Sequence, residues 1–239
     1  MMTLLLLTSC SRSATPQALQ LGAAPWTSGE RATYQLTANG EPAGTATLEA
    51  TERVDAATGQ PSGWLLRSEI DGRGDQEIVA ITLGPQGYRP IDSTMVRIFP
   101  NGTEQVKATY NGSAVNLELT SRARVLTYEE LSVPSDAREQ RSLPWLVRTL
   151  PLEAGYATRL NTLLPITGIL DRVSVDMGRA ETVTVPAGTF ETIRITLDTG
   201  DSLSRMWVGT DAPHLLVKFE DDRSNATWEL SQYEAGISK

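Results

Sequence analysis

The sequence predicts an all-β domain of antiparallel strands carrying one short helix. Three observations predict it. Apolar and polar residues alternate with period two in eight separate stretches. Gly, Pro and Asn turn signals separate those stretches. One segment alone breaks the alternation, and it carries the signals of a helix start.

Residues 10–29 come first. They are rich in Ser, Thr, Pro, Ala and Gln and show no apolar period, so they predict a flexible tether. Ala32, Tyr34 and Leu36 then alternate with polar neighbours, as do Ala46, Leu48 and Ala50. The run Asn39-Gly40-Glu41-Pro42-Ala43-Gly44 between them predicts a turn, making a hairpin with one wet and one dry face. The same period returns at Val79/Ile81/Leu83, Val106/Ala108/Tyr110 and Val115/Leu117/Leu119. It returns again at Val173/Val175/Met177, Ile193/Ile195/Leu197 and Leu215/Val217/Phe219. Gly84-Pro85, Asn101-Gly102, Asn111-Gly112, Pro186-Ala187-Gly188 and Thr199-Gly200 supply turns at the spacing of an antiparallel meander.

The exception lies at 142–151. Ser142 is placed to cap a short helix with Pro144 at its first position, ending at Pro151. Trp145, Leu146, Thr149 and Leu150 fall on one face of it. A lone short helix on such a sheet predicts a plug at an open edge or mouth.

The net charge of −8 over 239 residues argues against nucleic acid, whose phosphates an acidic surface repels. It also argues against docking on anionic headgroups. Cys10 is the only cysteine, so no internal disulfide is possible. It follows Leu4-Leu5-Leu6-Leu7-Thr8-Ser9, the order of a bacterial lipobox: aliphatic, small, small, then the cysteine that receives the lipid. The expectation is a leader at 1–9, removed, and an acyl anchor on Cys10 that holds the protein in the cell envelope outside the cytoplasm. The apolar run is short and no Lys or Arg precedes it, which predicts a leader that begins further upstream. An anchor of this kind attaches without spanning, each buried methylene contributing about 0.8 kcal/mol.

Candidate chemistry is sparse, and the expectation is a protein that is not an enzyme. Asp198-Thr199-Gly200 matches the aspartic protease tripeptide, but no second copy exists and Asp201 stands where Ser or Thr is needed, so a hairpin turn is the reading adopted. His214 is the sole histidine, which removes any His-rich zinc site and leaves a turn residue. Asp221-Asp222 lacks the ligand spacing of a calcium loop. Arg73-Gly74-Asp75 and the sequons at Asn101, Asn111 and Asn225 read as ordinary turn sequence. No metal and no cofactor is expected.

Four segments carry a family resemblance. They are Gly40-Glu41-Pro42-Ala43-Gly44-Thr45-Ala46, Leu146-Val147-Arg148-Thr149-Leu150-Pro151-Leu152-Glu153-Ala154-Gly155, Glu181-Thr182-Val183-Thr184-Val185-Pro186-Ala187-Gly188-Thr189-Phe190-Glu191-Thr192, and Met206 to Glu220. In that order they resemble the DUF3108 family of bacterial envelope proteins, over most of 30–239. The resemblance implies a single curved antiparallel sheet, a half-barrel or open barrel similar to lipoprotein-carrier proteins, and no catalytic residue. The third segment is also readable as turn chemistry: Val183 and Val185 are strand residues, Pro186 ends the ladder, and Gly188 supplies a backbone freedom that a β-branched residue lacks.

Five tryptophans remain, at 26, 64, 145, 207 and 228. Large side chains fill the concave face of a curved sheet or line a pocket for an acyl chain. Trp145, Leu146, Trp207, Val208 and Trp228 are the candidate ligand-binding residues, for a lipid or the acyl part of a lipoprotein. The alternative expectation is a scaffolding module that binds an envelope protein or a glycan through strand edges.

Overall fold

The structure, a computed structural model, describes residues 15–121 and 124–237. Fifteen strands form a single sheet. The first eight are β1 (Glu30–Ala38), β2 (Glu41–Val54), β3 (Pro61–Asp71), β4 (Gln76–Leu83), β5 (Pro90–Phe99), β6 (Gly102–Asn111), β7 (Ala114–Ser121) and β8 (Arg124–Ser132). The rest are β9 (Arg138–Glu139), β10 (Ala157–Leu164), β11 (Ile169–Val185), β12 (Gly188–Asp198), β13 (Leu203–Gly209), β14 (Leu216–Asp221) and β15 (Ala226–Glu234). One α-helix, α1 (Leu143–Leu146), lies between β9 and β10, flanked by tight 3-10 turns at Gln140–Ser142 and Val147–Thr149. Among the described residues no helix is long and apolar enough to cross a membrane.

Spatial order follows chain order in two meanders. β8 back to β1 form one wing, β15 back to β9 the other, and β1 pairs with β15 where the wings meet. Every neighbouring pair is antiparallel except β9 with β10. The order leaves β8 and β9 at opposite edges. Laid flat, fifteen strands would span about 65 Å. Yet the link Val133–Ala137 joins those two edges, and so short a link reaches only about 20 Å. The sheet is therefore rolled into a barrel-like shell, and no ladder closes it.

Local sequence explains the hairpins. Asn39 (φ 52°) and Gly40 (φ 80°) form the two-residue turn between β1 and β2, with Ala38 opposite Glu41. The expected longer turn is thus cut short, and Pro42 to Gly44 belong to β2. Pro186 and Ala187 turn β11 into β12, where Gly188 sits at φ 139° opposite Val185. At the start of β3 a Cβ on Gly63 would lie 2.0 Å from the Leu83 carbonyl oxygen, so only glycine permits that close approach.

The alternating residues of the sequence reading face inward, from Ala32, Tyr34 and Leu36 through to Ile193, Ile195 and Leu197. The last stretch is corrected: β14 begins at Leu216, and Leu216 and Val217 are both buried at a register shift against β13. The helical segment differs too. Ser142 is itself helical (φ −80°, ψ −10°) and makes no capping bond to an amide. Its hydroxyl donates instead to the Glu139 carbonyl at 2.6 Å, because the turn already starts at Gln140.

The expected flexible tether is also corrected where it is described. The Gln17 amide donates to the Ala157 carbonyl at 2.7 Å, and the Gly22 amide to the Thr149 carbonyl at 2.7 Å. Trp26 is buried, edge-on to Trp64 at 5.8 Å and 5.7 Å from Tyr88. An indole offers too much apolar surface to remain in a free spacer. Residues 17–29 are a strap that ties β10 to the first wing. Cys10 lies outside the described residues.

Candidate functional site

Two polar constructions sit inside this shell. The first holds the plug. Leu143, Trp145, Leu146, Val147 and Leu150 join the inward side chains of both wings in one apolar core. Arg148 ends the segment as a buried cation. It makes a forked pair with Glu30 of β1, Nη1 to Oε1 at 2.6 Å and Nη2 to Oε2 at 3.1 Å. Its remaining donors reach the carbonyls of Pro213 and His214, both at 2.9 Å. Tyr233 of β15 donates to Glu30 at 3.1 Å, and the guanidinium lies 5.5 Å from the Trp26 ring centre. Burial and the adjacent Glu30 carboxylate push the Tyr233 phenol up to about 12. The planar fork fits the carboxylate, so both buried charges are matched. One residue thereby ties the plug to the strap, to β1 and to the turn before β14.

The second construction lies where the two wings face each other without a ladder. Ala108, Val115 and Leu117 of the first wing pack with Val133, Ala137 and Leu163, forming a small cluster separate from the main core. Beside it lies a cavity of about 10 Å³. Val79, Met95 and Val106 line one wall, and Leu164, Pro165 and Ile166 line another. Ser93, Glu139 and Arg141 supply its polar lining.

Glu139 is 1% exposed, and its Oε2 has no hydrogen-bond partner among the described residues. Burial pushes its carboxyl up to about 8; the Arg141 guanidinium and the amides of Arg141 and Ser142 oppose this, and Glu77 adds to it. Arg141 pairs with Glu77 at 3.0 Å, and Arg97 binds the same carboxylate at 2.8 Å. The Arg141 Nε is buried without a partner among the described residues. Burial and nearby Glu139 also raise the Tyr110 phenol. Apolar walls, a few convergent polar groups and a displaced carboxyl are features of small-ligand sites, here gathered around a space for about one water.

The sequence-predicted residues do not all share one face. Trp145, Leu146 and Val208 belong to the core, and Trp228 packs at its margin, edge-on to Phe219 at 5.4 Å. Trp207 is corrected. It neighbours Val208 in β13, so it points to the opposite side of the sheet. There its indole donates to Glu181 at 2.6 Å, and Lys218 lies 5.1 Å from its ring centre. None of the five lines the seam cavity. Sequence reasoning missed Glu139, Arg141 and Glu77, and the one available signal was a charged run Asp136 to Arg141 directly before an apolar segment.

Asp198-Thr199-Gly200 is a hairpin turn between β12 and β13, with the Gly200 amide bonded to Asp198 at 2.7 Å. His214 occupies a turn at φ 53°, its Nδ1 3.1 Å from the Gly209 carbonyl. Asp222 pairs with Arg205 at 2.7 Å. Among the described residues no group of three or more His, Cys, Asp or Glu could hold a metal ion.

Comparison with known proteins agrees with this architecture. A family model described as a protein of unknown function (DUF3108) matches residues 33–227. No curated protein matches the chain. A solved β-barrel-like protein of the DUF1849 group from Brucella abortus is similar at a TM-score of 0.53 and 13% identity, over 89% of this chain and 99% of that one. A Bacteroides fragilis protein with a YmcC-like fold is similar at a TM-score of 0.30 and 10% identity, over 91% of this chain and 100% of that one. The first likeness concerns the fold alone.

Proposed function

This chain belongs to the DUF3108 family, and we propose that within the cell envelope it is a non-enzymatic binding protein for an apolar ligand such as an acyl chain. The observation that carries the reading is the unladdered seam. Its walls are largely apolar, a cavity already lies between them, and no strand ladder crosses it among the described residues. A cavity of about 10 Å³ takes roughly one water, so a ligand enters only as the seam parts. The plug would stay in place, because Arg148 holds it from several sides.

Native mass spectrometry of protein purified from membranes tests this. The expected result is a co-purifying acyl species, lost when Met95 and Val106 are both replaced by polar residues. A protein that carries none and takes up no detergent-delivered lipid would end the proposal. The lipid anchor on Cys10 is a separate part of it. Cys10→Ser should lower the intact mass by the acyl groups and release the protein from membranes; an unchanged mass and fractionation would remove the anchor.

A second reading has its own observation. β8 pairs with β7 alone among the described residues, so nine residues of backbone offer an open edge. Such an edge accepts a strand from a protein partner. Crosslinking in whole cells that captures a partner at β8, with no lipid in the seam, would favour it.

A further inference from the structure

We infer that the seam selects amphiphiles ending in a carboxylate, with Arg141 receiving the head group and the Glu139 carboxyl standing beside it. This rests on the seam reading above and narrows its ligand class.

The charges around the cavity give the argument. From β4 comes the Glu77 carboxylate, and from β5 comes Arg97, 2.8 Å away. The turn after β9 brings Arg141, 3.0 Å from the same Glu77. Arg97 and Arg141 thus both bind Glu77, while Glu104 of β6 stands opposite Arg97 in the ladder. Arg141 and, from β9, Glu139 line the cavity itself, with Glu77 and Arg97 behind Arg141, and Tyr110 of β6 lies near Glu139. A carboxyl buried to this degree stays protonated at neutral pH, so it does not cancel the second cation. Among the described residues Arg141 keeps a buried, unpartnered Nε beside apolar walls.

The free hydrogen-bonding groups fit an anion as well. Among the described residues Arg141 Nε has no partner, and Glu139 Oε2 has none either. Protonated, Glu139 donates its O–H to an incoming carboxylate while Arg141 supplies the charge-assisted bond. Ionised, it repels the same ligand. An amine-headed chain meets the reverse: Arg97 and Arg141 oppose it at neutral pH.

Displacement of a fluorescent apolar probe by laurate, dodecanol and dodecylamine tests the inference on the full chain. At about pH 7 laurate should bind about tenfold or more tightly than dodecanol, and dodecylamine most weakly. By about pH 9.5 the laurate preference should vanish as Glu139 ionises. Arg141→Met should remove the preference without changing dodecanol binding. Glu139→Gln, which stays neutral, should keep it at both pH values.

Equal binding of laurate and dodecanol would overturn the carboxylate inference and leave the apolar seam standing. A preference for the amine would do the same. No binding of any dodecyl chain would overturn both.

Discussion

The two polar constructions make opposite use of a buried acid. Glu30 has two guanidinium bonds and a phenol donor, and its cation Arg148 is also bonded to two carbonyls. Glu139 is equally buried, yet one of its oxygens has no partner among the described residues, and Arg141, the cation that acts on it, is already committed to Glu77. Burying charge is tolerable only when geometry supplies the matching groups. At the plug they are supplied in full, so that end is a lock. At the seam they are supplied in part, so the acid takes up a proton instead. A half-satisfied polar cluster beside an apolar cavity suits a place that opens.

The sharpest way to break this contrast is Arg148→Met. It strands Glu30 without its cation and frees two carbonyls, and should cost about 3–5 kcal/mol in urea unfolding. Adding Glu30→Leu should recover much of that loss, because the cost lies in the orphaned charge. If the single change is nearly neutral, the lock is not one.

The seam predicts a pH effect of intermediate size. The folded Glu139 carboxyl sits at about 8, against an ordinary value of 4.5. Between those values the folded chain binds a proton that the unfolded chain releases. Stability from this group is therefore full below the ordinary value, falls as pH rises, and levels off above about 8. Unfolding followed across that range should show the decline in the native chain and a flatter curve in Glu139→Gln. Parallel curves would remove Glu139 from the account.

The smallest effect belongs to the convex surface. Arg205 pairs with Asp222 at 2.7 Å, and both side chains are substantially exposed. Arg205→Ala should cost under about 1 kcal/mol, and that little should shrink in salt. A larger loss would mean that burial does not explain the difference between the lock and ordinary pairs.

Much of the shell was legible. Strands with three successive apolar inner positions, such as β1, β4 and β12, declared themselves through period two. β5 and β10 did not, because Ser93, Thr158 and Thr162 occupy buried positions where an apolar residue would complete the pattern. Small hydroxyl residues fit a crowded interior and hide the period that a reader counts. The plug was legible from Pro144 and the apolar run after it. The seam was not, since it depends on bringing β4 to β6 beside β9 and β10, a contact that no local pattern encodes. Trp207 was misplaced for a simpler reason: neighbours on a strand point to opposite faces where the ladder is regular, and the ladder with β12 runs unbroken through Trp207 and Val208.

The meeting of β1 with β15 sets the order of assembly. Each wing can form its own hairpins as the polypeptide emerges, since their partners are near in sequence. The joint between them cannot. Arg31 must wait for Glu234, and β15 is the last of these fifteen strands to leave the ribosome. Until then β1 and β14 each present an unpaired flank, and no ladder joins the two halves. Such remote pairing is slow and leaves sticky edges bare. A nascent chain of this design therefore needs protection until its final strand arrives.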